Sequence, residues 1–154
     1  MQNYGIIAAM QEEMQEIQKL MKNISNKEIY GLNFIEGKIS DKTIILVEAG
    51  VGKVNAARTT QILIDKFDID AVINIGSAGA ANDKLNIGDI VIGKKLVQHD
   101  FDITAFGHPK GYISNAGQYF SSDRKLIEKM ENAIKLRVPL IAEVSEATNW
   151  YDCK

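Results

Sequence analysis

The chain has one cysteine, Cys153, in 154 residues. That excludes an internal disulfide framework and a cysteine-rich metal site. Cationic excess is also missing: 18 Lys and Arg stand against 20 Asp and Glu, a net charge of −2. Such a balance offers no basic surface to a polyanion, so nucleic acid is not an expected partner. No apolar run approaches the length of a membrane span, and the opening MQNYGIIAAM has neither the basic start nor the cleavage site of a signal peptide. A cytoplasmic protein without membrane contact is the expectation. Internal repeats and low-complexity tracts are absent too. The 45% apolar and 25% charged residues that remain are those of an ordinary globular chain, long enough for one domain with a real core.

What is present alternates. YGIIAA (4–9) is apolar on both faces, as a strand covered on both sides must be. A helix follows directly, with Met10, Met14, Ile17 and Met21 on one side and Glu12, Glu13, Glu16 and Lys19 on others. EIYGLNFIEGKI and TIILVEAG read as two strands joined by a hairpin turn at SDK. GKVNAARTTQILIDKF reads as a helix with Ala56, Thr60, Leu63 and Phe67 along one side. DAVINI is a further buried strand, and IGDIVIGKKLVQHD a longer one. SDRKLIEKMENAIKL is a helix that Ser122 and Asp123 suit as an N-terminus, with Leu126, Met130 and Ala133 as its apolar stripe. Strands alternating with helices, plus an inserted hairpin, predict an α/β three-layer domain: a central mixed β-sheet flanked by helices.

In such sheets ligands bind beyond the carboxyl ends of the strands. Three of these ends stand out. In AAMQEEM, Glu12 and Glu13 enter the first helical turn, where they complement the helix dipole or supply a carboxylate base over the strand end. In EAGVGKVNAA, Gly50 and Gly52 free the backbone at a strand-to-helix turn; this is a plain tight turn or a set of amides for an anion or hydroxyls. Lys53 follows Gly52, but the spacing of a phosphate-binding Walker loop is absent. In NIGSAGA, Gly76, Ala78 and Gly79 leave space for a flat ligand and Ser77 offers a hydroxyl, unless the turn simply packs under a helix. His99 and His108 lack the third ligand and spacing of a metal site, and no G-x-S-x-G elbow supports a serine triad. HDFDITAFGHPKGY has the aromatic content of an exposed loop at a subunit contact or pocket wall.

Together GIIAAMQEEM, VEAGVGKVNAA, INIGSAGA, IGDIVIG and HDFDITAFGHPKG resemble, in order and spacing, the bacterial 5′-methylthioadenosine/S-adenosylhomocysteine nucleosidases of the purine nucleoside phosphorylase-like superfamily. The resemblance covers residues 4–136, and HDxDxTAFG separates this family from the phosphorylases. It implies hydrolysis of the N-glycosidic bond of adenine thionucleosides by water, releasing adenine and a thioribose, with no cofactor and no metal. By position Glu13 matches the carboxylate that orients and deprotonates the water. Ser77, Ala78 and Gly79 match the wall beside purine and ribose, and Val51 a position near the nucleophile and sugar. Ile103 and Phe106 match residues that reach into the neighbouring subunit's pocket, which implies a homodimer.

The family also carries a Met-Glu pair for the ribose hydroxyls, a stacking Phe and a Ser-Asp turn that protonates the purine. None is matched within the 154 residues, and 137–154 diverges from the family pattern. The resemblance therefore implies a domain incomplete at its C-terminus, with turnover weakened by loss of the leaving-group acid. The other readings of the residues are a purine nucleoside phosphorylase, for which Lys53 and Arg58 are the candidate phosphate cations, and an inactive fragment that binds nucleosides or dimerises.

Overall fold

The computed structural model describes residues 2–80 and 82–135. The expected divergent segment, 137–154, lies outside them. The chain divides into two compact units, residues 1–78 and residues 79–154.

The first unit is built on a five-stranded mixed sheet of order β2-β3-β4-β1-β5. Its elements are β1 (Asn3–Ala8), α1 (Gln11–Leu20), β2 (Lys22–Ile29), β3 (Leu32–Ile39), β4 (Lys42–Glu48), α2 (Lys53–Lys66) and β5 (Ala71–Asn74). β1 is the axis. It runs parallel to β4 on one side and to β5 on the other, pairing Ala8 with Glu48 and Ile7 with Asn74. All three parallel strands therefore end at the same edge of the sheet.

Alternation along the strands divides the core in two. Ile6, Ala8, Ile35, Ile44 and Leu46 pack with Met14 and Met21 beside α1. Ile7, Phe34, Ile45 and Val47 pack on the opposite face with Ile62 and Leu63 of α2. This is the predicted layered α/β arrangement, and it explains the unbroken apolar runs at 6–8 in β1 and 44–47 in β4. Gly5 marks the closest approach of strand and helix: a Cβ there would stand 2.4 Å from Leu63 Cδ2 and 3.2 Å from Ile69 Cδ1.

Two boundaries differ from the sequence reading. EIYGLNFIEGKI is not one strand. Tyr30 and Gly31, with φ of 52° and 74°, form a two-residue turn that makes β2 and β3 a hairpin. Positive φ at both central residues matches the strand twist, and Gly31 supplies the conformation without strain. KNISNK becomes strand because the ladder to β3 satisfies its backbone, while its side chains stay in water at the sheet edge. The turn at SDK occurs as expected, with Ser40 at φ 55°. On α2 the deepest residues are Thr59, Ile62 and Leu63. Of the expected row, Leu63 is therefore buried, while Ala56, Thr60 and Phe67 are half-buried.

The second unit holds a small antiparallel pair, β6 (Lys95–Leu96) and β7 (Phe120–Ser121), and α3 (Arg124–Lys135). The expected long strand through IGDIVIGKKLVQHD reduces to β6. Ile87, Ile90 and Val91 are exposed, and among the described residues only Lys95 and Leu96 of this run pair with another strand. Apolar alternation without a ladder partner does not make a strand. Asp123 caps α3 as expected, accepting from Leu126 N–H at 2.8 Å. The stripe of α3 is rotated from the predicted one: Leu126, Ile127 and Ile134 are half-buried, whereas Met130 and Ala133 are exposed.

Candidate functional site

At the shared carboxyl edge, β1 passes into α1 through Ala9 and Met10, and β5 runs on through Ile75 and Gly76 to Ser77. The ladder continues past the strands: Ala49 N–H donates to Ala8 at 2.8 Å and Ile75 N–H to Ile7 at 3.0 Å. These bonds fix the three strand ends relative to one another.

Glu13 is the third residue of α1, a position from which a glutamate reaches back to the N-cap backbone. Its Oε2 accepts from Ala9 N–H at 3.1 Å and Met10 N–H at 3.2 Å. Its Oε1 accepts from Ser77 N–H at 2.8 Å and from the Ser77 hydroxyl at 3.0 Å. The carboxylate thus ties the end of β1 to the end of β5, across 64 residues of sequence. Gly76 permits this closeness, since a Cβ there would meet Glu13 Oε1 at 3.1 Å. The Ser77 backbone N–H and then its hydroxyl hold the Glu13 carboxyl below the usual carboxylate range, against partial desolvation, with Met10 and Ala9 adding to the effect. Glu13 is accordingly an ionised acceptor, complementing the helix dipole and facing β5 at once.

The turn after β4 is the third wall. Gly50 and Gly52 take φ of 82° and 105°, conformations that favour glycine. Asn55 Nδ2 donates to the Val51 carbonyl at 2.8 Å and braces the turn. Val51 is exposed there. A cleft of about 470 Å³ opens beside α1, lined by Gln11, Met14, Gln18, Leu32, Asn33, Glu48 and Gly50 among others. Neither Glu13 nor Ser77 lines it.

Of the expected site residues, the structure brings Glu13 and Ser77 into direct contact. Ala78 follows Ser77, exposed at the end of the first unit, and Val51 sits on its β4 turn. Gly79, Ile103 and Phe106 belong to the second unit. Ile103 is half-buried at the start of a 3₁₀ turn, Thr104–Phe106, and Phe106 is exposed at its end. The Thr104 N–H and hydroxyl hold the Asp102 carboxyl low, donating at 3.0 and 2.8 Å. His108 stacks on Tyr112, ring centres 4.4 Å apart.

Sequence reasoning missed the Ala9 and Met10 amides, which have no side-chain signature. Nor did it foresee that Gly76 lies against Glu13. The signal available was a glutamate at the third helical position.

The three-layer fold with a carboxylate at the common end of its parallel strands defines a class, and comparison with known proteins agrees. Residues 3–150 match the family model of the phosphorylase superfamily, and the chain belongs to that family. It is similar to the 5′-methylthioadenosine/S-adenosylhomocysteine nucleosidase of Staphylococcus aureus, at 39% identity over 85% of this chain and 58% of the relative. Among solved structures it is similar to an S-adenosylhomocysteine nucleosidase from Streptococcus pyogenes in complex with 5-methylthiotubericidin. That likeness has a TM-score of 0.84 at 36% identity, covering 88% of this chain and 57% of that one. The 5′-methylthioadenosine/S-adenosylhomocysteine nucleosidase from Colwellia psychrerythraea, in complex with adenine, gives a TM-score of 0.87 at 33% identity, covering 92% and 58%. The chain therefore spans somewhat over half the length of the relatives it matches. Among the described residues, no helix is long and apolar enough to cross a membrane.

Proposed function

We propose that this protein hydrolyses the N-glycosidic bond of adenine thionucleosides, 5′-methylthioadenosine and S-adenosylhomocysteine, to adenine and the corresponding thioribose. The observation that carries the reading is the Glu13 carboxylate, held ionised at 2.8 Å from Ser77 N–H where β1 and β5 end. Glycosidic cleavage passes through an oxocarbenium-like transition state, so water needs only modest activation and a carboxylate suffices. Glu13 orients that water and takes its proton. Ser77, Ala78 and Gly79 border the purine and ribose, and Val51 lies near the sugar. Ile103 and Phe106 reach into the pocket of the neighbouring subunit and supply apolar surface around the substrate's alkylthio group, in a cytoplasmic homodimer. No step in this scheme calls on a metal or cofactor.

The name of the family favours a second reading, phosphorolysis. It needs a cationic phosphate site, yet the Arg58 guanidinium is turned to the Tyr30 carbonyl at 3.4 Å. Adenine release from 5′-methylthioadenosine, followed with and without inorganic phosphate, separates the two. Hydrolysis predicts equal rates. Release only in phosphate, with a sugar 1-phosphate as the second product, overturns it.

A further inference from the structure

The Glu13 carboxylate is saturated. An ionised carboxylate offers about four acceptor positions, two on each oxygen. Ala9 and Met10 fill those of Oε2, and the two donors of Ser77 fill those of Oε1. A general base needs a lone pair turned toward the proton it removes. One of the four donors must therefore leave before water can be activated, and the four are not equally free to do so. Three are backbone N–H groups, fixed by the passage from β1 into α1 and by the end of β5. The fourth, the Ser77 hydroxyl, turns about a single side-chain bond.

We propose that Ser77 is a positioning residue that latches Glu13: its hydroxyl occupies the Oε1 position that the attacking water needs, and swings off when a nucleoside binds. This rests on the hydrolase reading of the site. The Ser77 N–H stays on Oε1 throughout and keeps the carboxylate aimed along the end of β5, so orientation survives release of the hydroxyl. Gly76 belongs to the same device, because a Cβ there would crowd Oε1 at 3.1 Å and shift it from its place beside the β5 backbone. The vacated hydroxyl is then free to meet a polar group of the ligand.

The electrostatics agree in direction. The hydroxyl is the second-largest influence holding the Glu13 carboxyl low, after the Ser77 N–H. Its departure makes the carboxylate a stronger base at the moment a substrate is present. On the flanking elements the titratable groups are Tyr4 on β1, Glu12, Glu16 and Lys19 on α1, and Lys42 and Glu48 on β4. None is among the causes of the Glu13 shift, all of which are hydrogen bonds and desolvation.

Carbon-13 NMR of the Glu13 side-chain carboxyl, assigned by its loss in Glu13→Gln, tests the latch. The titration is followed in the wild type, Ser77→Ala and Ser77→Thr, free and with a 5′-methylthio C-nucleoside of adenine, whose carbon–carbon glycosidic bond cannot be hydrolysed. The latch predicts that Ser77→Ala titrates at higher pH than the wild type in the free protein, and that Ser77→Thr, which keeps a hydroxyl, returns toward the wild type. Bound ligand moves the wild type upward further than it moves Ser77→Ala. Coincident titrations of wild type and Ser77→Ala overturn the proposal, as does a wild-type titration that bound ligand leaves in place. If the ligand's own signals reveal no binding, the nucleoside reading is what fails, and the free-protein comparison still decides the latch.

Discussion

Gly76 lies against the carboxylate of Glu13: a Cβ at position 76 would stand 3.1 Å from Oε1 and 3.5 Å from Cδ. That spacing is tighter than side chains ordinarily accept, and Oε1 is already committed to Ser77. Gly76→Ala should shift the carboxylate along the end of β5 by a few tenths of an ångström. A misplacement of about 1 Å near reacting groups costs on the order of 100-fold in rate. The variant is expected to lose activity by less than that, measured as kcat/KM for adenine release, while its circular-dichroism spectrum stays that of the wild type.

Acid should loosen the tie between β1 and β5. The folded-state pKa of Glu13 is depressed by the Ser77 amide and hydroxyl. Its contribution to stability is therefore complete above the unfolded-state value and is lost as pH falls through the lower folded-state value. Melting temperatures recorded from about pH 7 downward through the carboxylate range should fall less steeply for Glu13→Gln than for the wild type. Parallel curves would show that Glu13 is not held low.

Gly5 sits inside β1 because α2 comes close there. A methyl group at that position would lie 2.4 Å from Leu63 Cδ2 and 3.2 Å from Ile69 Cδ1, so alanine fits only if a packed side chain moves. Overpacking of this kind costs about 1–3 kcal/mol. Urea denaturation of Gly5→Ala should give a midpoint lowered accordingly, with an unchanged slope.

Thr59 is fully buried on α2, and its hydroxyl has no hydrogen-bond partner among the described residues. Valine has nearly the same shape and removes the unsatisfied group. Since such a group costs about 1–3 kcal/mol, Thr59→Val should raise the unfolding free energy by about 1 kcal/mol or more. A destabilised variant would mean that the hydroxyl is satisfied in solution.

The layered α/β arrangement was legible because β1, β4 and β5 contain apolar runs that pack on both faces, and Met14 of α1 and Met21 just after it lie on one side. β2 was not, since KNISNK is polar and is made a strand by its ladder to β3 alone. Tyr30 hid the hairpin, having none of the usual chemistry of a turn residue. IGDIVIG misled in the opposite direction, its apolar alternation suggesting a strand that pairing does not support. Within the site, Glu13 and Ser77 could be singled out by type and by resemblance. Their contact could not, because it depends on the strand order that sets β5 beside β1, and no local spacing encodes that order. The backbone donors of Ala9 and Met10 were equally invisible, being common to every sequence.

The most direct test of the account is the rate of adenine release from 5′-methylthioadenosine in phosphate-free buffer by the wild type and by Glu13→Gln. Glutamine keeps the shape of the side chain but cannot take a proton from water. Proton removal by Glu13 predicts release by the wild type and a fall of about 100- to 10,000-fold in Glu13→Gln. Equal rates for the two proteins would contradict it.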